Sequence, residues 1–133
     1  MKTWIPLFAA LLGIALPGCF VGVDHDRHSS DDAIFTVEWR VAGSSDPEEC
    51  RYFDAAYAYV TIESRYGTED DATVRCGEFG YDFYLPPGRY WATVTLLDGA
   101  HHDITSTIET IPETLYEHDG TYVVADFPGD SFF

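Results

Sequence analysis

Side chains able to hold a transition-metal ion occur in two short segments of this 133-residue sequence. Residues 101–103 read His-His-Asp and residues 118–119 read His-Asp. Imidazole and carboxylate groups bind Zn²⁺ or Cu²⁺ when three or four of them converge. Neither segment has the ligand spacing of a zinc finger or of a helical metal motif. The sequence therefore predicts solvated turn residues at both places and no metal site.

Carboxylates gather in two further segments. Acidic loops of this kind bind Ca²⁺ in some sandwich domains, where about six or more oxygen ligands and a fixed turn are needed. The sequence has no Asp-x-Asp-x-Asp-Gly series, and acidic loops need no ligand in a chain whose formal net charge is −16. Ca²⁺ binding is kept as an alternative for these residues, which are Asp46, Glu48, Glu49, Glu69, Asp70 and Asp71.

Serine, aspartate and histidine are all present, but no motif arranges them for catalysis. The sequence lacks Gly-x-Ser-x-Gly, Ser-x-x-Lys and His-Glu-x-x-His. Most carboxylates fall in turns or at outward strand positions, without the apolar pocket that would raise the pKa of a general acid. We therefore expect a protein that is not an enzyme and needs no cofactor.

The first 18 residues have the layout of an export signal. Lys2, the chain's only lysine, is followed by an apolar run over residues 4–16 and by the small residue Gly18. A plain export signal would share this layout, and so would an uncleaved anchor reaching Val23. Prolines and glycines within the run favour a cleaved signal over a membrane-spanning helix.

The sequence LPGC at residues 16–19 resembles the lipobox of bacterial lipoproteins. Its leucine and glycine match that pattern, whereas Pro17 stands where alanine, serine or threonine is usual. The resemblance implies that the signal, residues 1–18, is removed and that Cys19 carries a lipid anchor. Phe20 after the cysteine, in place of aspartate, implies the outer membrane by analogy with lipoprotein sorting.

Residues 19–32 lose the apolar pattern and are rich in Asp, His and Ser, which predicts a lipidated flexible tether. The remaining residues, 33–133, have the size of one domain with one core. Acidic residues number 23 against seven lysines and arginines, and such a surface repels nucleic acid phosphates and anionic lipid head groups. We expect attachment to a membrane through the lipid and no nucleic-acid partner.

Cys50 and Cys76 are the two cysteines left once Cys19 is assigned to the anchor. In an oxidising compartment a disulfide is the usual state of such a pair. A reactive thiol would need a Cys-x-x-Cys motif or a histidine placed nearby, and the sequence shows neither. The sequence therefore predicts a structural disulfide between Cys50 and Cys76.

Beyond Asp32 the apolar residues follow a period of two, which is typical of half-buried strands. About seven such strands, separated by turn signals, predict an all-β fold that is a single antiparallel β-sandwich, preceded by the cleavable signal helix. The alternating rows are residues 35–41, 56–63, 72–76, 79–85, 90–97, 104–108 and 122–127.

The sequence LPPGRYWATVTLLDG, residues 85–99, resembles the Pro-Gly turn and strand of immunoglobulin-like and prealbumin-like (carboxypeptidase-regulatory-like) sandwiches. With its lipobox, tether and Ser-Asp-Pro-x-x-Cys loop, the chain resembles small uncharacterised bacterial lipoproteins of that shape. The resemblance implies a fold and a localisation in the cell envelope, and it identifies no catalytic residues.

Large aromatic residues occupy outward strand positions. If the aliphatic residues beside them face the core, Tyr57 and Tyr59 face outward, and so do Tyr84, Trp91 and Leu97 on other strands. Exposed tyrosine and tryptophan side chains stack on sugars or anchor a protein partner. The alternative is ordinary cross-strand pairing on a solvated face. We expect Tyr57, Tyr59 and Trp91 to lie within reach of one another.

These features together predict a lipid-anchored cell-envelope lipoprotein whose β-sandwich has a non-enzymatic structural or protein-interaction role. The alternative is a ligand-binding lipoprotein that takes carbohydrate on the aromatic face or Ca²⁺ in the acidic loops. An envelope protein or a glycan is the partner expected for either role.

Overall fold

The computed structural model describes residues 31–133. The expected signal peptide, Cys19 and the tether up to residue 30 lie outside the described residues. The elements of the described part are β1 (Ala33–Val41), α1 (Pro47–Tyr52), β2 (Tyr57–Ser64), β3 (Gly67–Arg75), a 3₁₀ turn (Cys76–Glu78), β4 (Gly80–Leu85), β5 (Gly88–Leu97), β6 (Ile108–Glu109), β7 (Glu113–Leu115) and β8 (Gly120–Phe127).

The strands form two sheets that pack face to face. A three-stranded sheet has the order β4-β1-β8, and a five-stranded sheet has the order β3-β2-β5-β6, with β7 paired to the start of β5. Their inner faces share one cluster of buried apolar side chains. The predicted all-β sandwich is confirmed.

The period of two in the sequence fixes which side chains enter this cluster. On β1 the odd-numbered residues from Ala33 to Val41 are fully buried, including Trp39, and the residues between them are at least partly exposed. On β5 the buried row begins with Tyr90 and continues with Ala92 and alternate residues beyond it. Successive strand residues point to opposite faces, so this alternation delivers an apolar face to the core.

One strand pair departs from an antiparallel arrangement. β1 pairs with β4 in antiparallel register on one side and with β8 in parallel register on the other. The parallel pair runs from Ile34 opposite Gly120 to Val41 opposite Phe127. Parallel neighbours need a long connection, and here it is all of the chain between β1 and β8.

The sequence pattern predicts only turns between β1 and β2, but the structure has α1 there. The carboxylate of Asp46 accepts a hydrogen bond from the backbone N–H of Glu48 at 3.0 Å, and Pro47 lies in the first turn. Six residues are too few for a helical apolar period to show in the sequence. Neither this helix nor the 3₁₀ turn, within the described residues, is long and apolar enough to cross a membrane.

The strand predicted at residues 104–108 is mostly irregular. Only Ile108–Glu109 forms a strand there, while Asp103 and Thr105 make isolated bridges. The loop predicted after it contains β7. Residues 103–109 therefore run along the sheet without a continuous series of backbone hydrogen bonds to it.

The predicted disulfide between Cys50 and Cys76 is confirmed. It joins α1 to the 3₁₀ turn and closes the chain segment that contains β2 and β3. Both cysteines are buried, and the indole N–H of Trp39 donates a hydrogen bond to the carbonyl oxygen of Cys76 at 2.9 Å. The disulfide is therefore part of the core at one end of the sandwich.

Candidate functional site

The four aromatic residues predicted to form a binding face lie on two different sheets. Tyr57 and Tyr59 are on β2, and Trp91 is on the neighbouring β5 in the five-stranded sheet. Tyr84 is on β4 in the three-stranded sheet, opposite Ile34 of β1. The core of the sandwich therefore separates Tyr84 from the other three.

Tyr59 and Trp91 are well separated on the outer face of the five-stranded sheet. Tyr59 pairs with Thr95, whereas Trp91 pairs with Glu63. Four residues of a strand span about 14 Å. The structure therefore does not bring Tyr59 and Trp91 together into one platform.

Threonine hydroxyl groups occupy the middle of this outer face. The hydroxyl oxygens of Thr61 and Thr93 are 2.5 Å apart, and those of Thr95 and Thr107 are 2.7 Å apart. Each pair forms a hydrogen bond between neighbouring chain segments. This threonine band divides the face into two regions, which we name the Tyr57 end and the Trp91 end.

At the Tyr57 end the side chains contact one another. The ring of Tyr57 stacks on that of His101, with centroids 4.5 Å apart and planes inclined by 11°. Leu97 lies opposite the core row, as predicted, but it is covered, since the residue is only 7% exposed. Leu97 lies between two paired neighbours, Tyr57 on β2 and Asp103 on the segment that folds back after the turn.

The turn that carries His101 is held by one carboxylate. Asp98 accepts hydrogen bonds from the backbone N–H groups of His102 and Ala100, each at 2.9 Å. The N–H of His102 is the largest cause that lowers the pKa of Asp98 below its ordinary value. The Tyr57 end is thus closed by contacts among its own residues.

The Trp91 end contains a groove of about 410 Å³. The turn between β2 and β3 forms one wall, and the turn between β4 and β5 forms the other. The groove is lined by residues 64–66, Glu69 and residues 87–91. Two arginines and three aromatic residues therefore meet in one concave surface.

The β2–β3 turn presents a stacked cation. Gly67 has a φ of 113°, which L side chains rarely adopt, so glycine is needed to complete the turn. The backbone N–H of Tyr66 donates to the hydroxyl oxygen of Ser64 at 3.1 Å. The guanidinium of Arg65 lies over the Tyr66 ring, 4.6 Å from its centroid, and hydrogen-bonds to the Tyr66 hydroxyl. The turn thus holds a flat cation at the rim.

A β-bulge turns one carboxylate into the groove. The register of β2 against β3 shifts after Ile62, which pairs with Asp70, so that Glu69 becomes the extra residue. The hydroxyl of Ser64 donates to the carboxylate of Glu69 at 2.5 Å. Bulges often redirect a side chain at a functional surface, and here the redirected group is Glu69.

The β4–β5 turn fixes the opposite wall. A Cβ atom added at Gly88 would lie 3.2 Å from the ring of Tyr90, so a larger residue there would push the ring back by a few tenths of an ångström. The Tyr90 hydroxyl donates to the carbonyl oxygen of Pro86 at 2.8 Å. Burial, followed by the charge of Glu69, raises the pKa of Tyr90. Tyr90 is therefore a rigid, neutral part of the wall.

Arg89 and Trp91 are alternate residues of β5 and share its outer face. Within residues 31–133 the guanidinium of Arg89 makes no hydrogen bond or ion pair, and the indole N–H of Trp91 donates no hydrogen bond. Arg51, which pairs with Glu48, is the one described arginine in an ion pair. The groove therefore offers donors whose acceptors are absent from the described part of the chain.

The two acidic segments use their carboxylates in local contacts. Asp46 caps α1, and the carboxylate of Asp70 accepts the backbone N–H of Asp71 at 2.8 Å. The Tyr59 hydroxyl donates to Asp71 at 3.2 Å. Asp46, Asp70 and Asp71 therefore each have a local hydrogen-bond donor, and Ca²⁺ binding stays a prediction for these segments.

A different trio of side chains could share a cation. Ligand atoms of Asp31, Glu117 and His118 lie within 4.8 Å of one another, the only such group among the described residues, and all three residues are exposed. The sequence did not connect them, because Asp31 precedes β1 and the other two precede β8. Exposed groups of this kind are common without an ion, so the trio is a juxtaposition and not yet a site.

Sequence reasoning selected Trp91 but missed Arg65, Tyr66 and Arg89. Arg65 and Tyr66 are far from Arg89 in the sequence. Only the register of β2 against β5 places the β2–β3 turn and the β4–β5 turn at the same end of the sheet. One signal was present in the sequence: both arginines flank glycine-containing turns in a chain with few cations.

The chain matches no protein-family model, and no curated protein matches its sequence.

Proposed function

We propose that this protein is a non-enzymatic, lipid-anchored lipoprotein of the cell envelope whose β-sandwich is a recognition module. Cys19 would carry the anchor at the outer membrane, and the tether would hold the domain near it. The observation that carries the recognition role is the groove at the Trp91 end, with its aromatic walls and with donors on Arg89 and Trp91 that have no partner within residues 31–133.

The shape of the groove favours a saccharide segment over a flat protein surface. Its volume of about 410 Å³ lies in the range of small-molecule sites. A stable protein interface instead buries about 800 Å² on each partner over a broader surface. Aromatic rings with a polar edge, such as Trp91, suit ligands that are apolar on one face and hydroxylated around their rim.

The polar groups of the groove are arranged for binding. The Ser64 hydroxyl donates to Glu69 and accepts the N–H of Tyr66, so it stabilises the turn. The Tyr90 hydroxyl is engaged with a backbone carbonyl. These contacts keep the walls in place before a ligand arrives, which lowers the entropy cost of association.

Binding is tested with an array of neutral and acidic oligosaccharides and the full-length protein purified in detergent. Trp91→Ala should weaken binding about 30-fold, because an aromatic anchor contributes about 2 kcal/mol or more. Tyr59→Ala is the matched control, since Tyr59 lies opposite Thr95, four residues along β5 from Trp91, and the variant should leave binding unchanged. Retention of no saccharide, or an equal loss in both variants, would contradict the role of the groove.

The anchor is tested by labelling cells with a fatty-acid analogue. The wild-type protein should take up the label, and Cys19→Ser should not. A wild-type chain that carries no label would remove the lipid from the proposal and leave the recognition role to be judged by the array.

A further inference from the structure

Resting on the recognition role proposed above, we infer that the groove binds an acidic saccharide. The sugar carboxylate lies between Arg65 and Arg89, and the sugar ring lies against Trp91. The ligand class is a uronic-acid-type oligosaccharide, in which one ring carries one carboxylate.

The two arginines supply the charge preference. A guanidinium group binds a carboxylate through two parallel hydrogen bonds, which a single ammonium group cannot match in geometry. The stacking of Arg65 on Tyr66 fixes the plane of its guanidinium in advance. Arg89 has no carboxylate partner in residues 31–133, although acidic residues in the chain number 23 against seven lysines and arginines. Two cations at one concave surface, neither with a carboxylate partner in the described part of the chain, therefore point to an anionic ligand.

Trp91 supplies the preference for a sugar. Arg89 and Trp91 point to the same side of β5 and are roughly 7 Å apart along the strand, about the width of one sugar ring. The indole provides an apolar surface for the sugar ring. Its N–H, which donates to no other described residue, provides a donor for a hydroxyl or carboxylate oxygen. A carboxylate held by arginine and a ring held by tryptophan can thus belong to the same residue of the ligand.

Glu69 narrows the choice of anion. Its carboxylate is fixed by Ser64 within the groove and can accept a sugar hydroxyl. The same negative charge repels a doubly charged phosphate more strongly than a single carboxylate. Glu63, directly opposite Trp91, and Asp32, whose charge acts on Tyr90, add to this repulsion. The repulsion from more distant acidic residues is screened beyond about 8 Å at 0.15 M salt.

The experiment compares matched charged and uncharged ligands by calorimetry at 0.15 M salt, with the full-length protein in detergent. The probes are short oligomers of galacturonate and of glucuronate, each with its methyl ester, which keeps the ring and removes the charge. We expect the acids to bind and the esters to bind at least about tenfold more weakly, since hydrogen bonds to charged groups are lost.

Alanine variants test which arginines give the preference for the charged ligand. Arg89→Ala and Arg65→Ala should each weaken binding of the acid about tenfold and leave binding of the ester unchanged. Arg75→Ala is the matched control, because Arg75 is an exposed arginine at the Tyr57 end, opposite Tyr57. It makes the same change in net charge and should leave binding unchanged.

Three outcomes overturn the inference. Equal binding of acid and ester, with a loss in Trp91→Ala, would keep a saccharide-binding module and refute the charge preference. Equal weakening by Arg75→Ala would show general electrostatics in place of a site. Binding of no saccharide, with capture of a peptide that ends in a free carboxylate, would overturn both the inference and the saccharide role.

Discussion

The two ends of the outer face of the five-stranded sheet differ in how their side chains are paired. At the Tyr57 end the rings of Tyr57 and His101 stack, Leu97 is covered, and Asp98 holds the turn. At the Trp91 end the donors of Arg89 and Trp91 have no partner among the described residues. Both ends carry aromatic residues on the same two strands. Aromatic content therefore does not distinguish a binding surface from a structural one, whereas unpaired donors in a concavity do.

The largest predicted change in stability comes from removing the disulfide, which lies beyond the Tyr57 end. This change should affect stability and leave binding at the Trp91 end intact. Replacing Cys50 and Cys76 together by serine should lower the free energy of unfolding by about 3 kcal/mol, because the unfolded chain regains the freedom of the closed loop. This loss corresponds to a fall in the melting temperature of about 10–20 °C.

Calorimetric unfolding of the oxidised protein and of the double serine variant measures this difference. Well below its melting temperature the variant should still bind at the Trp91 end, since the groove shares no residue with the disulfide. Loss of binding in a variant that remains folded would show that the two ends are coupled.

A smaller effect is expected from the aromatic stack. Tyr57→Ala should lower the free energy of unfolding by about 1 kcal/mol from the lost ring pair, in addition to the lost burial, and should leave binding unchanged. A double-mutant cycle with His101→Ala isolates the pair, using urea unfolding as the measurement. A coupling energy near zero, or a binding defect in Tyr57→Ala, would refute a purely structural role for this end.

The smallest predicted effect is the dependence of stability on pH through Asp98. The pKa of Asp98 is lowered in the folded state, mainly by the N–H of His102. A carboxyl group with a depressed folded pKa stabilises the fold above its unfolded pKa of about 3.9, and this contribution is lost as the pH falls through the folded value. NMR titration of the Asp98 carboxyl carbon should give a midpoint below that of an ordinary aspartate. A midpoint at or above the ordinary value would show that the turn hydrogen bonds do not hold the charged form.

Strand positions and burial were predictable because they depend on local alternation, whereas the parallel pairing of β1 with β8 was not. The rows that begin with Phe35 and Tyr90 face the core as the period of two indicates, and the disulfide followed from the expected export and the cysteine number. Helix α1 was not predictable in this way, since a capped segment of six residues has no visible period. The burial of Leu97 was not predictable from its own strand, because the residue is covered by a segment that folds back over the sheet.

The candidate site was only partly predictable. Trp91 stood out as an aromatic residue at an outward position, but Arg65 and Arg89 looked like ordinary turn residues. Their convergence depends on the register between β2 and β5 and on the bulge at Glu69, which are properties of paired strands. The alternation of residues within one strand does not show which residues of the neighbouring strand pair with them.

The parallel pairing of β1 with β8 has a consequence for when the chain can fold. The first strand gains its second neighbour only after the last strand has been synthesised, and pairings between distant parts of a chain form slowly. A nascent chain therefore cannot complete the smaller sheet while its C-terminal residues are still inside the ribosome. For the exported lipoprotein proposed above, the smaller sheet would then be completed only after transport, where Cys50 and Cys76 would meet an oxidising environment.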